Sequence, residues 1–130
     1  YEPNIEELGT TSNAPWAMYL PEIENIVIGD SVTMLSDYSF AFASSLKTVS
    51  VGKNVSSLGW RCFYRCGDFE NGADMSFTFN STKLPYIGID VMGWTWNDSN
   101  VKVYVPADLL EQWQGALSRH EIQIIALDPQ

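Results

Sequence analysis

At 130 residues, with 45% hydrophobic and 18% charged residues, the chain has the size and composition of one globular domain. A formal net charge of -9, from 16 acidic and 7 basic residues, repels phosphate backbones and anionic membranes, so nucleic acid is not an expected partner. Apolar runs span only a few residues, far short of a membrane-crossing helix, and no membrane insertion is expected.

The chain opens at Tyr1 without a Met, as a processed or trimmed chain would, so a missing export signal says nothing about destination. Residues 1–15 carry little apolar periodicity and read as a loose segment ahead of a single domain over 16–130. Trp16 to Pro21 is apolar but breaks the period that follows, as an N-terminal capping segment would.

From Ile23 onward the chain repeats at an offset of 23. Ile23 aligns with Leu46, Ile26 with Val49, Ile28 with Val51, Gly29 with Gly52, Val32 with Val55, Leu35 with Leu58 and Phe40 with Phe63. Further on, Phe77 and Phe79 follow Val49 and Val51 at an offset of 28, and Ile87, Gly88 and Met92 follow Leu58, Gly59 and Phe63 at 29. The added residues fall in the polar stretch Gly67 to Met75, which reads as a loop. Coils are expected near 23–45, 46–68, 76–99 and 101–127.

A period in this range with this aliphatic spacing is the mark of a leucine-rich solenoid. In Ile26-Val27-Ile28 the first and third side chains share one strand face, which a single coil cannot bury. Short parallel strands are therefore predicted around Val27, Ser50, Thr78 and Tyr104, with Ile26, Ile28, Val49, Val51, Phe77, Phe79, Val103 and Val105 facing the core. Phe40 and Phe63 should stack inside. At the same offset Tyr38 meets Arg61 and Phe42 meets Arg65, predicting two guanidinium–aromatic pairs. After Pro106, Leu109, Leu110, Trp113 and Leu117 mark one face of a closing helix, and Ile122 to Leu127 a last short strand. The fold class is α/β: a short right-handed solenoid with one parallel strand per coil, a helical or irregular convex side, an N-terminal cap segment and a C-terminal capping helix.

The run Ile26 to Thr33 with Tyr38-Ser39-Phe40, and Val49 to Gly52 through Val55, Leu58, Gly59 and Cys62 to Cys66, resembles the BspA-like leucine-rich repeats. Gly59 and Cys66 match that family's Gly and Cys, while Ser36, Ala43 and Met92 depart from its pattern. The resemblance implies a bacterial, secreted or surface-attached protein used in adhesion, with no catalytic residues.

Chemistry-bearing motifs are sparse. His120 follows the closing helix, where a cation suits the helix end better than catalysis explains it. Glu22 and Glu24 could mimic a glycosidase pair but sit at a strand edge. Cys62 and Cys66 lack the further ligands of a zinc site and read as buried free thiols. Asp68 to Asp74 lacks calcium-loop spacing. Three glycosylation sequons, at Asn54, Asn80 and Asn97, match at a rate expected from composition. No catalytic residues, metal or cofactor are expected.

Aromatic residues give the best indication of a site. Trp60 and Tyr64 occupy variable repeat positions at helix-like spacing, and Trp94 and Trp96 flank a turn. Tyr104 joins Asn25, Val27, Thr48, Ser50, Thr78 and Lys102 on the outward strand faces, where solenoids usually meet partners. Trp60, Tyr64, Trp94, Trp96 and Tyr104 form the candidate ligand-binding set, for a protein or glycan. A structural spacer without its own ligand is the competing expectation.

Overall fold

A computed structural model describes residues 17–67, 74–88, 91, 101–117 and 122–127. Among the expectations that fall outside these residues are the loose segment 1–15, the insert Asp68 to Ala73, Met92, Trp94, Trp96, Asn97 and His120. The strands are β1 (Asn25–Ile28), β2 (Met34–Leu35), β3 (Thr48–Val51), β4 (Ser57–Leu58), β5 (Met75–Phe79), β6 (Tyr86–Ile87), β7 (Val101–Pro106) and β8 (Gln123–Leu127). They build a five-stranded sheet in the order β1-β3-β5-β7-β8 and a three-stranded sheet in the order β2-β4-β6, with every pair parallel.

The sequence offsets become hydrogen-bonded register. Ile26 lies opposite Val49, Val49 opposite Phe77, Phe77 opposite Val103 and Val103 opposite Ile124. The period of two then decides the faces. Ile26, Ile28, Val49, Val51, Phe77, Phe79, Val103 and Val105 are all buried between the sheets, as expected from their spacing.

A column of rings runs through that core. Phe40 and Phe63 stack with centroids 5.7 Å apart and planes 12° from parallel. Phe63 meets Phe77 edge-on at 5.1 Å, and Phe79 stacks on Trp113 at 4.5 Å. Trp113 lies on helix α1 (Leu110–Ala116), which a 3₁₀ turn, Ala107–Leu109, introduces after Pro106. Leu109, Trp113 and Leu117 are buried and seal the C-terminal end of the stack, with Leu110 packed partly against it.

Two corners demand glycine. A Cβ on Gly52 would stand 2.7 Å from the Gly29 carbonyl oxygen, and one on Gly59 would stand 2.5 Å from both the Asp37 nitrogen and the Ser36 carbonyl carbon. Gly88 approaches Gly59 in the same way, at 2.6 Å. Successive coils therefore touch backbone to backbone here. Ser36, the counterpart of Gly59 in the first coil, has no described coil in front of it, which accounts for the departure from the glycine pattern.

Of the two forms expected for the convex side, helical or irregular, this corner takes the irregular one. The helix-like spacing of Trp60 and Tyr64 does not produce a helix, because residues 60–65 form turns in which Arg61 and Arg65 are left-handed, with φ of 52° and 54°. Tyr38 and Phe42 repeat that geometry one coil earlier, with φ of 58° and 67°. A helix would commit the backbone donors to its own carbonyls. Here alternate donors reach the next coil instead, Tyr38 N–H to Trp60 C=O at 3.1 Å, Phe40 to Cys62 at 2.8 Å and Phe42 to Tyr64 at 2.8 Å, while Ser39 and Ala41 bond locally to Ser36 and Tyr38. Each left-handed non-glycine residue costs about 1–2 kcal/mol, and the inter-coil bonds and ring contacts offset it.

At the N-terminal end a 3₁₀ turn, Ala17–Glu22, buries Leu20 and leaves Met18 and Tyr19 exposed. Ser45 Oγ donates to the Pro21 carbonyl at 2.6 Å and ties this turn to the corner of the first coil. Several other polar side chains also bond from coil to coil. Thr48 Oγ1 donates to Asn25 Oδ1 at 2.6 Å, Asn54 Nδ2 to the Asp30 carbonyl and Asn80 Nδ2 to the Val51 carbonyl. Two of the three sequon asparagines thus have a structural use for their amides; Asn97 lies outside the described residues.

Cys62 and Cys66 are free and buried, and Cys66 Sγ donates to the Phe40 carbonyl at 3.0 Å. Burial pushes the Cys66 thiol up to about 12 and the Cys62 thiol well above its ordinary range, so neither forms appreciable thiolate at neutral pH. Thiol titration of the native protein at pH 8 is expected to be very slow, and denaturant without reductant should release both thiols at once. Rapid native reaction would show that the second coil opens.

Candidate functional site

The sequence-derived residues do not converge on one place. Trp60 and Tyr64 stand together on the lateral corner after β4, whereas Tyr104 lies on the outward face of β7 between Thr78 and Ile125. Trp94 and Trp96 lie outside the described residues. The structure thus brings Trp60 and Tyr64 together and sets Tyr104 apart from them.

What the corner assembles is a small cluster of its own. Tyr38 and Ala41 are fully buried, and Phe42, Trp60 and Tyr64 pack against them half-exposed, apart from the main core. Tyr38 meets Trp60 edge-on at 5.6 Å and Tyr64 at 6.2 Å, and Phe42 meets Tyr64 at 5.7 Å. The Arg61 guanidinium sits 4.8 Å from the centroids of both Trp60 and Tyr64, and its Nη1 donates to Tyr38 Oη at 3.0 Å. Arg65 covers Phe42 at 5.9 Å. Both pairs expected from the offset are present.

The cause of the assembly is the register between the two corners. Residues 38, 40 and 42 donate successive hydrogen bonds to 60, 62 and 64, which brings Phe40, Cys62 and Phe63 together in the main core and sets Phe42, Trp60 and Tyr64 around Tyr38 and Ala41. Positive φ at Arg61 and Arg65 swings each guanidinium back over an aromatic face, where cation–π attraction contributes about 0.5–1 kcal/mol at an exposed site. Asp37 Oδ1 accepts the Trp60 N–H at 2.7 Å and fixes the start of the corner. The rings and charges of the ridge are held in place by contacts within the chain.

The outward face of the five-stranded sheet is mostly small and polar, with Asn25, Thr48, Ser50, Ser76, Thr78 and Lys102 along it. On its edge Val27 is 79% exposed, and Tyr86 on β6 is 70% exposed. Tyr86 gives no signal in the sequence, because a two-residue strand with no repeat partner of its own type has no periodicity to read. Glu24 pairs with Lys47 at 2.6 Å rather than with Glu22, and that hydrogen bond lowers the Glu24 carboxyl below its ordinary range. Among the described residues, no three His, Cys, Asp or Glu side chains gather where they could hold a metal.

Comparison with known proteins agrees with this architecture. Residues 17–75 match the family model described as "BspA type Leucine rich repeat region (6 copies)". Residues 17–75 carry the BspA-type leucine-rich repeat pattern. Leucine-rich repeats of this type are generally non-catalytic protein-interaction units, and the BspA type is usually found on surface or exported bacterial proteins. No curated protein and no solved structure matches. Among the described residues no helix is long and apolar enough to cross a membrane.

Proposed function

We propose that this leucine-rich repeat chain is a non-catalytic binding module of an exported or cell-surface protein, which contacts a protein or glycan partner through the lateral ridge at Trp60 and Tyr64. The supporting observation is the ridge itself: half-exposed rings clamped by Arg61 and Arg65, in a cluster that the main core does not need. Trp, Tyr and Arg are the residue types that carry most binding hot spots. Trp94, Trp96 and Tyr104 belong to the same proposal as further contact residues. The rival reading, a spacer without its own ligand, draws on the edge-on packing of Tyr38 against Trp60, which staples adjacent coils whether or not anything binds.

Capture of surface proteins and a glycan array, each run with wild type and with Trp60→Ala and Tyr64→Ala, separates the two. Binding through the ridge predicts loss of about thirtyfold in affinity for each variant, as a hot-spot truncation of about 2 kcal/mol requires, with the fold retained by circular dichroism. Undiminished binding by both folded variants would remove the ridge from the account. The Trp60→Phe variant should also lose part of the iodide-quenched fluorescence of the wild type, and an unchanged quenched fraction would show the ring to be shielded.

A further inference from the structure

The two ends of the stack are not finished alike. Helix α1 seals the C-terminal end, whereas the N-terminal end opens into a cleft of about 580 Å³ between β1 and β2, lined by Ile23, Ile26, Ile28, Val32, Leu35 and Phe40. Val27 and Met34 on its rim are 79% and 52% exposed. Among the described residues both strands are edges of their sheets. The N–H and C=O of one strand residue point to the same side and alternate along the strand. Since the Glu24 carbonyl accepts the Thr48 N–H, the main-chain groups of Glu24, Ile26 and Ile28 face β3 and those of Asn25 and Val27 face the open edge. A hydrogen-bonding edge above an apolar cleft is the geometry in which a further strand adds to a sheet.

Three observations narrow the occupant. A complete coil stacked in the register of the others would bring its backbone as close to Ser36 as Ser36 and Asp37 come to Gly59, within 2.5 Å of where a Cβ stands, and Ser36 has a Cβ. A lone strand on β1 avoids that corner. Charge gives the second restriction: residues 1–46 hold seven acidic residues, Glu2, Glu6, Glu7, Glu22, Glu24, Asp30 and Asp37, and no Lys or Arg. Another copy of this end, or the acidic residues that precede it, would meet like charge. The third is continuity, since each strand already in the sheet pairs in parallel and puts an aliphatic or aromatic side chain inward at every second residue.

We propose that the open N-terminal end of the stack is a docking edge for an extended partner peptide, aliphatic at alternate positions and basic at its flanks, which pairs in parallel with β1 and lays its apolar side chains over the cleft. This surface is separate from the Trp60 ridge, and neither proposal depends on the other.

The test uses the full chain and a synthetic peptide of alternating isoleucine and threonine with two lysines at each end. Fluorescence anisotropy should show saturable binding that weakens as salt rises, and NMR shifts should centre on the amides of Asn25 to Gly29. Replacing the lysines with aspartates should abolish binding. N-methylation of the peptide's alternate amides should weaken it about tenfold or more, as loss of main-chain bonds does. Val27→Pro, which removes one outward N–H from an edge strand, should weaken it by a similar factor. The methylated peptide keeps the test decisive if Val27→Pro does not fold. Absence of binding would overturn the proposal, as would equal affinity for the aspartate or methylated peptides. Shifts centred on β8 or the Trp60 ridge would do the same, and so would Val27 already protected from amide exchange in the free chain.

Discussion

Phe63→Ala is expected to destabilise the protein by about 3–5 kcal/mol, the range for removing a fully buried aromatic ring. Phe63 is completely buried, stacks on Phe40 in the coil before it and meets Phe77 in the coil after it, so one truncation opens a void shared by three coils. In a solenoid each coil is held only by its neighbours, and a void at the second coil weakens both of its interfaces. A domain of this size has about 5–15 kcal/mol in total, so much of the margin disappears. Urea unfolding by circular dichroism would measure the loss. A cost under about 1 kcal/mol would show that the ring column does not hold the coils together. Trp60→Ala, by contrast, forfeits a half-exposed ring and its edge contact with Tyr38, so its cost should be markedly smaller.

The second large effect comes from a single methyl group. Gly59→Ala places a Cβ 2.5 Å from backbone atoms of Ser36 and Asp37 and 2.7 Å from the Leu35 carbonyl oxygen. These are main-chain atoms, so no side-chain rotation relieves the clash and the first two coils must move apart. That movement threatens the Gly59 N–H bond to the Leu35 carbonyl, at 2.7 Å, and the Trp60 N–H bond to Asp37. The expected cost is about 3 kcal/mol, the upper end for overpacking. Ser36→Gly, one coil earlier, introduces no such clash and should cost about 1 kcal/mol in backbone entropy, well below the cost at Gly59. Thermal melting of the two variants side by side gives the comparison; similar losses would contradict the close approach of successive coils at this corner.

Much of the fold is legible in the sequence because the repeat writes each contact twice. An identical Phe at 40 and 63, and Gly at 29 and 52, marks in the residues alone which positions stack as neighbours. The strand faces follow from period two, and the pairs Tyr38–Arg61 and Phe42–Arg65 from the same arithmetic. The second sheet is not legible. Strands of two residues such as β2 and β4 are too short to show alternation, and their pairing is a consequence of stacking rather than of local preference. At the Trp60 corner the spacing of four suggests a helix, while inter-coil hydrogen bonds and left-handed φ at Arg61 and Arg65 override that preference.

The candidate site is readable in composition and less so in geometry. Trp60 and Tyr64 stand out in the sequence for lacking a core role, and the fold gives them a partial one, against Tyr38 and Ala41. Tyr104 stands on another face altogether. The open edge at Val27 carries no sequence signal, because its residues match those of the interior strands; only its place at the end of the stack exposes it.

Parallel stacking in one continuous register sets the ridge, the glycine corners and the free edge together. Inter-strand nuclear Overhauser contacts in solution test it most directly. The predicted result is a row of contacts from Ile26 to Val49, Phe77, Val103 and Ile124, in that order, with the strands running the same way. Antiparallel contacts, or a row in which Ile26 and Val49 are not neighbours, would contradict it.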